Sequence, residues 1–470
     1  MRKYILLAIL FLLPWAILAQ DPQPGAPGIG DPYYPLVGNG GYDVQHYTVE
    51  LAVDMSTYAT TNNHFLTGTV TLEALATQDL STFNLDFFGM EIDSILVNDL
   101  PADFRREGAE LVIIPTAPLA NGELFSAAIT YHGSPEYIGF VYEQDGWISS
   151  ETEAHTFGEP FGTLAWMPVN DHPLDKATYT FRITVAAPYV VAANGLLQET
   201  ITNDDGTLTY VWEASDPIAT YLAHLHIAEF TVQTEEGPDG LPIRNYFSAD
   251  VRENEIELFA TTSEMIAYFN QIFGPYPFEA YGVVVAEGIP WTMEAQTLSM
   301  FDLEGLRQED YSGVKGPENT VVHELAHQWF GDCVSVARWQ DIWLSEGFAS
   351  YAEVLWLEHA YGAHRAADLV DWYYNTASFR HMDAPAFPWP YRLLDSTVYR
   401  RGALVLQALR TEVGDETFLN ILRAYVERLQ CGNAATDDFI AVAEEISGQD
   451  LTDLFADWLY SDELPFPTWE

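Results

Sequence analysis

From residue 42 to about 236 the chain alternates apolar and polar positions with a period of two. The runs include HYTVELAV from His46, TGTVTLEAL from Thr67, ELVIIP from Glu110, FSAAITYH from Phe125, YTFRITVAA from Tyr179 and LTYVWEA from Leu208. Gly, Pro, Asn and Asp separate them, and many short alternating segments with such punctuation predict an all-β domain of sandwich or saddle type. The period changes near Val251. Over 253–274, Ile256, Phe259, Met265 and Phe269 recur at helical spacing until Gly274 and Pro275 stop the run. A strand, YGVVVAEGI from Tyr281, follows, and helices are predicted over 317–330, 344–361, 401–413, 416–429 and 436–446. The chain is therefore expected to be multidomain, with the β domain at 37–236 and an α+β domain at 237–470. The segment 20–36, which contains DPQPGAPGIGDP, is too rich in Pro and Gly for a helix or central strand and is expected to be a tether or disordered lead-in.

Composition narrows the function. Of 470 residues, 19 are Lys or Arg and 69 are Asp or Glu, a formal charge of −50, and Lys occurs only at positions 3, 176 and 315. No basic stripe can be built from that, so a nucleic-acid binder is excluded. The acidic excess reads as a self-repelling, solvated surface and suits a salt-rich habitat. Arg2 and Lys3 precede an apolar run that ends at the small residue Ala19, the pattern of an export signal over 1–19. Interrupted by Pro14, the run is shorter than the roughly 20 residues that span a bilayer. The mature chain is expected to have no membrane span and to lie outside the cytoplasm, secreted, periplasmic or at the cell surface. With only Cys333 and Cys431 present, a single bridge stays open; Cys333, six residues beyond His327, is read as a packing residue.

The chemistry is concentrated in VVHELAHQWF at 321–330. His323 and His327, at i and i+4, share one helical face and can point two imidazoles at one metal ion, with Glu324 beside it to hold a water. Three fixed letters are a modest signal, and a buried or solvated histidine pair is the plain alternative. WLSEGFASYAE at 343–353 strengthens the metal reading. Its Glu346 lies eighteen residues beyond His327, far enough for a second helix to return a carboxylate. Two His and one Glu leave a fourth position open, as catalytic zinc sites do, although other divalent ions can occupy such a set.

The segment 323–353 resembles the gluzincin aminopeptidases, the family of aminopeptidase N and leukotriene hydrolase. GNGGYDVQHY at Gly38, EPFGTLAWMPVNDHPLDKATY at Glu159, MEAQTLS at Met293 and VYRRGALVLQALR at Val398 follow the family's order and approximate spacing. The resemblance implies a β-rich N-terminal domain before a thermolysin-like catalytic domain, with His323, His327 and Glu346 as ligands of one zinc ion and Glu324 as general base. It also implies that Tyr399, in VYRRGA, stabilises the oxyanion. Met293 and Glu294 match the family's G-x-M-E-N motif, in which the Glu binds the substrate's α-ammonium. Trp291 stands where the family has Gly and Ala295 where it has Asn, which places the local backbone in question. Glu159, where several relatives carry Gln, is either a second contact to the ammonium or a loop carboxylate. The sequence stops at Glu470, and an open cleft that admits longer peptides is expected.

The expected function is that of a secreted zinc aminopeptidase acting on peptides with a free N-terminus. The alternatives are a zinc endopeptidase, in which the altered WTMEA segment no longer anchors an amino terminus, and a non-catalytic zinc-binding or partner-binding relative. Oligomeric state is not legible.

Overall fold

The computed structural model describes residues 21–136, 146–307 and 314–469. The export-signal segment 1–19 lies outside them. The period-two runs form an eight-stranded sheet in the order Leu196–Thr202, Thr207–Ile218, Ala177–Ala186, Tyr42–Asp54, Phe65–Ala76, Leu124–Gly133, Glu91–Val97 and Leu100–Pro101. Neighbours are antiparallel except Ala177–Ala186 and Tyr42–Asp54, which pair in parallel with Phe181 opposite Val49. Val44, Tyr47, Val49, Leu51 and Val53 of Tyr42–Asp54 are buried while Asp43, Gln45, Glu50, Ala52 and Asp54 are exposed, so the sequence alternation is the pleat of a half-buried strand. Two four-stranded sheets complete the domain. One runs Gln23–Pro24, Leu80–Asp86, Glu110–Ile114, Asp103–Glu107, and the other Gly146–Ser149, Ala154–Phe157, Leu225–Ala228, Val190–Ala193.

The second domain has its own four-stranded sheet, Thr231–Glu236, Pro242–Phe247, Tyr281–Ala286 and Ser299–Asp302. Every residue of Tyr281–Ala286 is buried, as expected of a parallel strand covered on both faces. Thr231–Glu236 pairs along its length with Pro242–Phe247, so this sheet begins a few residues before the boundary expected at 237. The helices that build the site are α1 (Thr262–Ile272), α2 (Pro317–Ala326), α3 (Trp343–Tyr361), α4 (Ala363–Arg380) and α5 (Gly402–Val413). Asp415–Leu429, Thr436–Ser447 and Thr452–Trp458 pack behind them as α6 to α8. The helix expected over 253–274 is divided: Glu253–Ile256, a 3-10 turn Glu257–Phe259, then α1.

Two expectations are corrected. The Pro/Gly lead-in is not a free tether. Gln23–Pro24 pairs with Leu80–Asp86, and the buried Asp31 carboxylate accepts hydrogen bonds from the N–H groups of Tyr33 (2.7 Å), Tyr34 (2.9 Å) and, in the second domain, Trp339 (2.9 Å). Burial opposes it, but the hydrogen bond with His172 Nε2 at 3.2 Å and those from the three backbone donors hold its carboxyl below the ordinary range. Cys333 is not a mere packing residue, because it forms a disulfide with Cys431. Lys176 of the β domain reaches that bridge and donates to the carbonyls of Asp332 (2.9 Å), Cys333 (2.9 Å) and Cys431 (3.0 Å). The loop that follows the HELAH segment is thereby tied to both domains.

Candidate metal centre

The helix α2 starts where its chemistry dictates. Pro317 takes the first helical position, with its φ preset, and the Asn319 side chain accepts from the Gly316 N–H at 3.0 Å. The regular turn ends at Ala326, four residues earlier than expected. Gly331, at φ +127°, turns the chain, and the Asp332 N–H donates to the His327 carbonyl at 3.0 Å. His327, at the C-cap, keeps helical φ and ψ of −56° and −28° and stays on the face of His323. The helix α3 packs against α2 and presents Glu346 from its first turn.

One ligand atom each from His323, His327 and Glu346 lie within 4.8 Å of one another, all buried. Glu346 Oε2 is 3.1 Å from His323 Nε2 and 3.5 Å from His327 Nε2. The other ring nitrogens are already engaged. His323 Nδ1 faces Glu353 Oε1 at 3.1 Å, and His327 Nδ1 faces the Phe330 carbonyl at 3.0 Å and Ser345 Oγ at 2.9 Å. An N–H on each Nδ1 leaves a lone pair on each Nε2, aimed at the Glu346 carboxylate. That tautomer, with carboxylate and carbonyl partners behind the rings, is the donor set a divalent ion requires, so the residues fit zinc.

Glu324 points into the same cavity and forms a second close group with Glu294 and His327, again within 4.8 Å. Burial pushes the Glu324 carboxyl up to about 7 although both imidazoles oppose it. Burial would also raise Glu346, but His327 and His323 hold it down to about 2. The cavity, about 190 Å³, is walled by Phe157, Trp291 and Leu394 besides the acidic and metal-binding groups, and Tyr399 lines it too. The Tyr399 ring lies over that of His323, centroids 5.7 Å apart at 23°. It is carried by a π-helical turn, Thr397–Arg401, immediately before α5. Such insertions in a helix commonly redirect a functional side chain.

The WTMEA backbone is firmly held. Met293 and Met300 exchange backbone hydrogen bonds of 2.8 and 2.7 Å. Gln328, next to His327, donates to the Glu294 carbonyl at 2.9 Å and accepts from the Thr297 N–H at 2.9 Å. Asn194 of the β domain donates to the Gln296 carbonyl at 2.7 Å, and the buried Arg244 donates to the Thr297 carbonyl at 3.1 Å. These clamps deliver Glu294 to the cavity without an Asn at 295. Trp291 extends to the cavity mouth and is 58% exposed.

Glu159 is buried in the same cavity, not on an open loop. One oxygen of Glu159 and one of Glu294 have no hydrogen-bond partner. Burial raises both carboxyls, and for Glu159 the neighbouring Glu294 charge adds to the effect. Two buried carboxylates with open acceptor atoms are able to accept hydrogen bonds from a small cation. All seven site residues expected from the sequence thus line this cavity. Sequence reasoning missed Glu353, Ser345 and Gln328. Glu353 stands two helical turns beyond Glu346 on the same face of α3, a spacing that could have disclosed it.

Comparison with known proteins agrees with this geometry. The family described as Peptidase M1 N-terminal domain matches residues 43–222, and the Peptidase family M1 domain matches 257–458. The chain is 28% identical over 352 residues to Aminopeptidase M1-B of Oryza sativa subsp. japonica, covering 69% of this chain and 38% of that protein. It is 25% identical over 386 residues to the Glutamyl aminopeptidase of Homo sapiens, covering 76% and 40%. It therefore spans about two fifths of the length of these curated relatives. A crystal structure of an M1 zinc metallopeptidase from Deinococcus radiodurans superposes with a TM-score of 0.85 at 30% identity, covering 94% of this chain and 99% of that one. A mutant of that enzyme bound to a Tyr-Ser-Ala substrate superposes with a TM-score of 0.85 at 29% identity, covering 94% and 100%.

Proposed function

Because the chain belongs to peptidase family M1, we propose that it is a zinc aminopeptidase that removes N-terminal residues from peptides. The observation that carries this reading is the pair of buried carboxylates, Glu294 and Glu159, with unpartnered oxygens in the cavity of the metal-binding triad. An endopeptidase has no use for a cation receptor there. A free α-ammonium, held by charge-assisted hydrogen bonds, fixes the first peptide bond beside His323, His327 and Glu346.

The chemistry zinc supplies when bound by that triad is Lewis acidity towards a water and towards the scissile carbonyl. The remaining steps belong to side chains. Glu324, buried in the cavity beside the triad, takes a proton from the attacking water and passes it to the leaving amine. Tyr399 donates its hydroxyl proton as a hydrogen bond to the carbonyl oxygen as negative charge develops there. Phe157, Trp291 and Leu394 wall the cavity against bulk water.

We also propose that the enzyme works outside the cytoplasm. The apolar run behind Arg2 and Lys3, and the Cys333–Cys431 disulfide, support an oxidising compartment. No helix among the described residues is long and apolar enough to cross a membrane.

The test is hydrolysis of unblocked aminoacyl arylamides, each repeated with its N-acetylated counterpart and after chelation. Chelator-sensitive cleavage of the unblocked set alone is expected. Internal cleavage of an N-acetylated peptide would replace this reading with that of an endopeptidase.

A further inference from the structure

Behind the metal-binding triad lies a second layer that reaches the protein surface. The two carboxylates Glu346 and Glu353 project from one face of α3 and flank a single imidazole, Glu346 at the Nε2 of His323 and Glu353 at its Nδ1. Glu353 is fully buried, and its Oε1 also accepts a hydrogen bond from Lys315 Nζ at 2.8 Å. Its Oε2 is buried without a hydrogen-bond partner, so both hydrogen bonds of this carboxylate are made at Oε1, with the Tyr373 phenol close by. Among the described residues no other Lys or Arg lies within ion-pair distance of it.

A buried carboxylate without a counter-charge is strongly unfavourable, and one held from a single side can rotate away from its partner. The setting makes this acute. Glu159, Glu294, Glu324 and Glu346 crowd the adjoining cavity, in a protein with 69 acidic residues and only three lysines. Both lysines within the described residues donate to buried oxygens rather than decorating the surface. The Lys315 ammonium also stands 5.8 Å from the centre of the Tyr373 ring, from α4, which fixes its approach.

We propose that Lys315 is a positioning residue of the metal centre: by pairing with Glu353 it holds that carboxylate on the Nδ1–H of His323 and so keeps Nε2 aimed at zinc. Lys315 touches neither metal nor substrate, and acts through Glu353. The inference rests on the zinc reading of the triad and extends it by two residues.

The experiment measures zinc affinity of the purified full chain by competition with a chromophoric chelator, independent of turnover. Loss of a hydrogen-bond partner behind a ligating imidazole lowers metal affinity by about 10- to 100-fold, the range expected for Glu353→Gln. Lys315→Met should lower it by about 3- to 10-fold, whereas Lys315→Arg, which keeps the charge, should stay within about twofold of the parent. Lys315→Met made in the Glu353→Gln background should have no further effect. That non-additivity separates positioning from a general loss of stability, which would weaken zinc binding equally in both backgrounds. Unchanged affinity in Lys315→Met, or equal losses with and without the Glu353 carboxylate, would overturn the proposal. A parent protein that binds no zinc would overturn the metal-centre reading, and this inference with it.

Discussion

Gly347 and Gly402 pack backbone against backbone, where α3 meets α5: a Cβ on Gly402 would lie 2.8 Å from the Gly347 Cα, and one on Gly347 would lie 2.9 Å from the Gly402 Cα. Each glycine adjoins a site group. Gly347 follows Glu346, and Gly402 follows the π turn that carries Tyr399. Close approach of the two helices is what lets a metal-ligand carboxylate and a phenol from distant segments share one cavity.

Gly402→Ala should therefore push α5 away from α3. Overpacking of this kind costs about 1 to 3 kcal/mol, and the displacement should fall on Tyr399 more than on the triad. The expected result is a lower Tm and reduced kcat with zinc stoichiometry retained. A variant with parental kcat would show that Tyr399 is positioned independently of this contact.

Glu324→Gln and Tyr399→Phe should both spare the metal and impair turnover, for different reasons. Loss of the general base should lower kcat by about 10² to 10⁴, and loss of the hydroxyl donor by about 10² to 10³. Zinc content and kcat measured on the same preparations decide this. Parental kcat in Tyr399→Phe would remove the phenol from the mechanism, and loss of zinc in Glu324→Gln would make Glu324 structural.

Glu294→Gln and Glu159→Gln address the ammonium receptor. Hydrogen bonds to a charged group are worth roughly 1.5 to 3 kcal/mol, so Glu294→Gln should lower kcat/KM for unblocked arylamides by about 10- to 100-fold. Glu159→Gln should have a smaller effect, because Glu294 is the carboxylate grouped with Glu324 and His327. An N-acetylated peptide offers no ammonium and should not discriminate between parent and variants. Parental kcat/KM for the unblocked arylamides in both variants would mean that the carboxylates shape the cavity instead of reading the amino terminus.

The parts of this site that were legible in the sequence are those set by local periodicity. His323 and His327 are four apart on one helix, and Glu346 follows at a distance a helix, turn and helix can bridge. Lys315 and Gln328 were not legible as site residues because their partners are fixed only when α2, α3 and the WTMEA loop pack together, whereas the spacing of Glu353 from Glu346 on one helical face could have disclosed it. The helix α4 was not expected although Ala366, Leu369, Val370, Tyr373 and Ala377 of AHRAADLVDWYYNTASFR keep helical spacing, because a stripe that is partly alanine stands out weakly beside the aromatics on the other face. The lead-in was misjudged for a related reason. Its Pro and Gly content excludes a helix or central strand, yet Asp31 gains order from a backbone donor, the Trp339 N–H, more than three hundred residues away. By contrast the long strands were plain, since a half-buried pleat writes its period directly into the chain.

Metal removal should be felt in stability as well as activity. Zinc binds the folded triad and not the unfolded chain, so chelation withdraws its linkage free energy and leaves several buried carboxylates facing one another. Calorimetry should show a Tm several degrees lower after chelation, restored by added zinc. An unchanged Tm would indicate that the clamps at Glu353, Phe330 and Gln328 suffice to hold the centre.

A last prediction concerns pH. Asp171 is buried in the β domain; its Oδ2 accepts from the Leu164 N–H at 3.1 Å and its Oδ1 has no partner. Burial pushes its carboxyl from 3.8 up to about 7. The folded state thus holds this proton more tightly than the unfolded chain. The resulting stability is fully present below about pH 4 and is lost as pH rises towards about 7. Asp171→Asn keeps an acceptor for Leu164, carries no charge, and can donate towards the Thr220 hydroxyl buried beside it. The variant should be more stable than the parent at pH 7.5, by about 1 to 3 kcal/mol, with the advantage shrinking towards pH 4.5. Asp175 is raised in the same direction and titrates in both proteins, whereas Asp86, which accepts from the Asp171 N–H at 2.9 Å and feels its charge, is raised less in the variant, so the difference between the two urea-unfolding series reports Asp171 together with its coupling to Asp86. Parallel stability curves across that range would mean that Asp171 stays ionised in the fold, with its charge balanced by backbone dipoles instead of a proton.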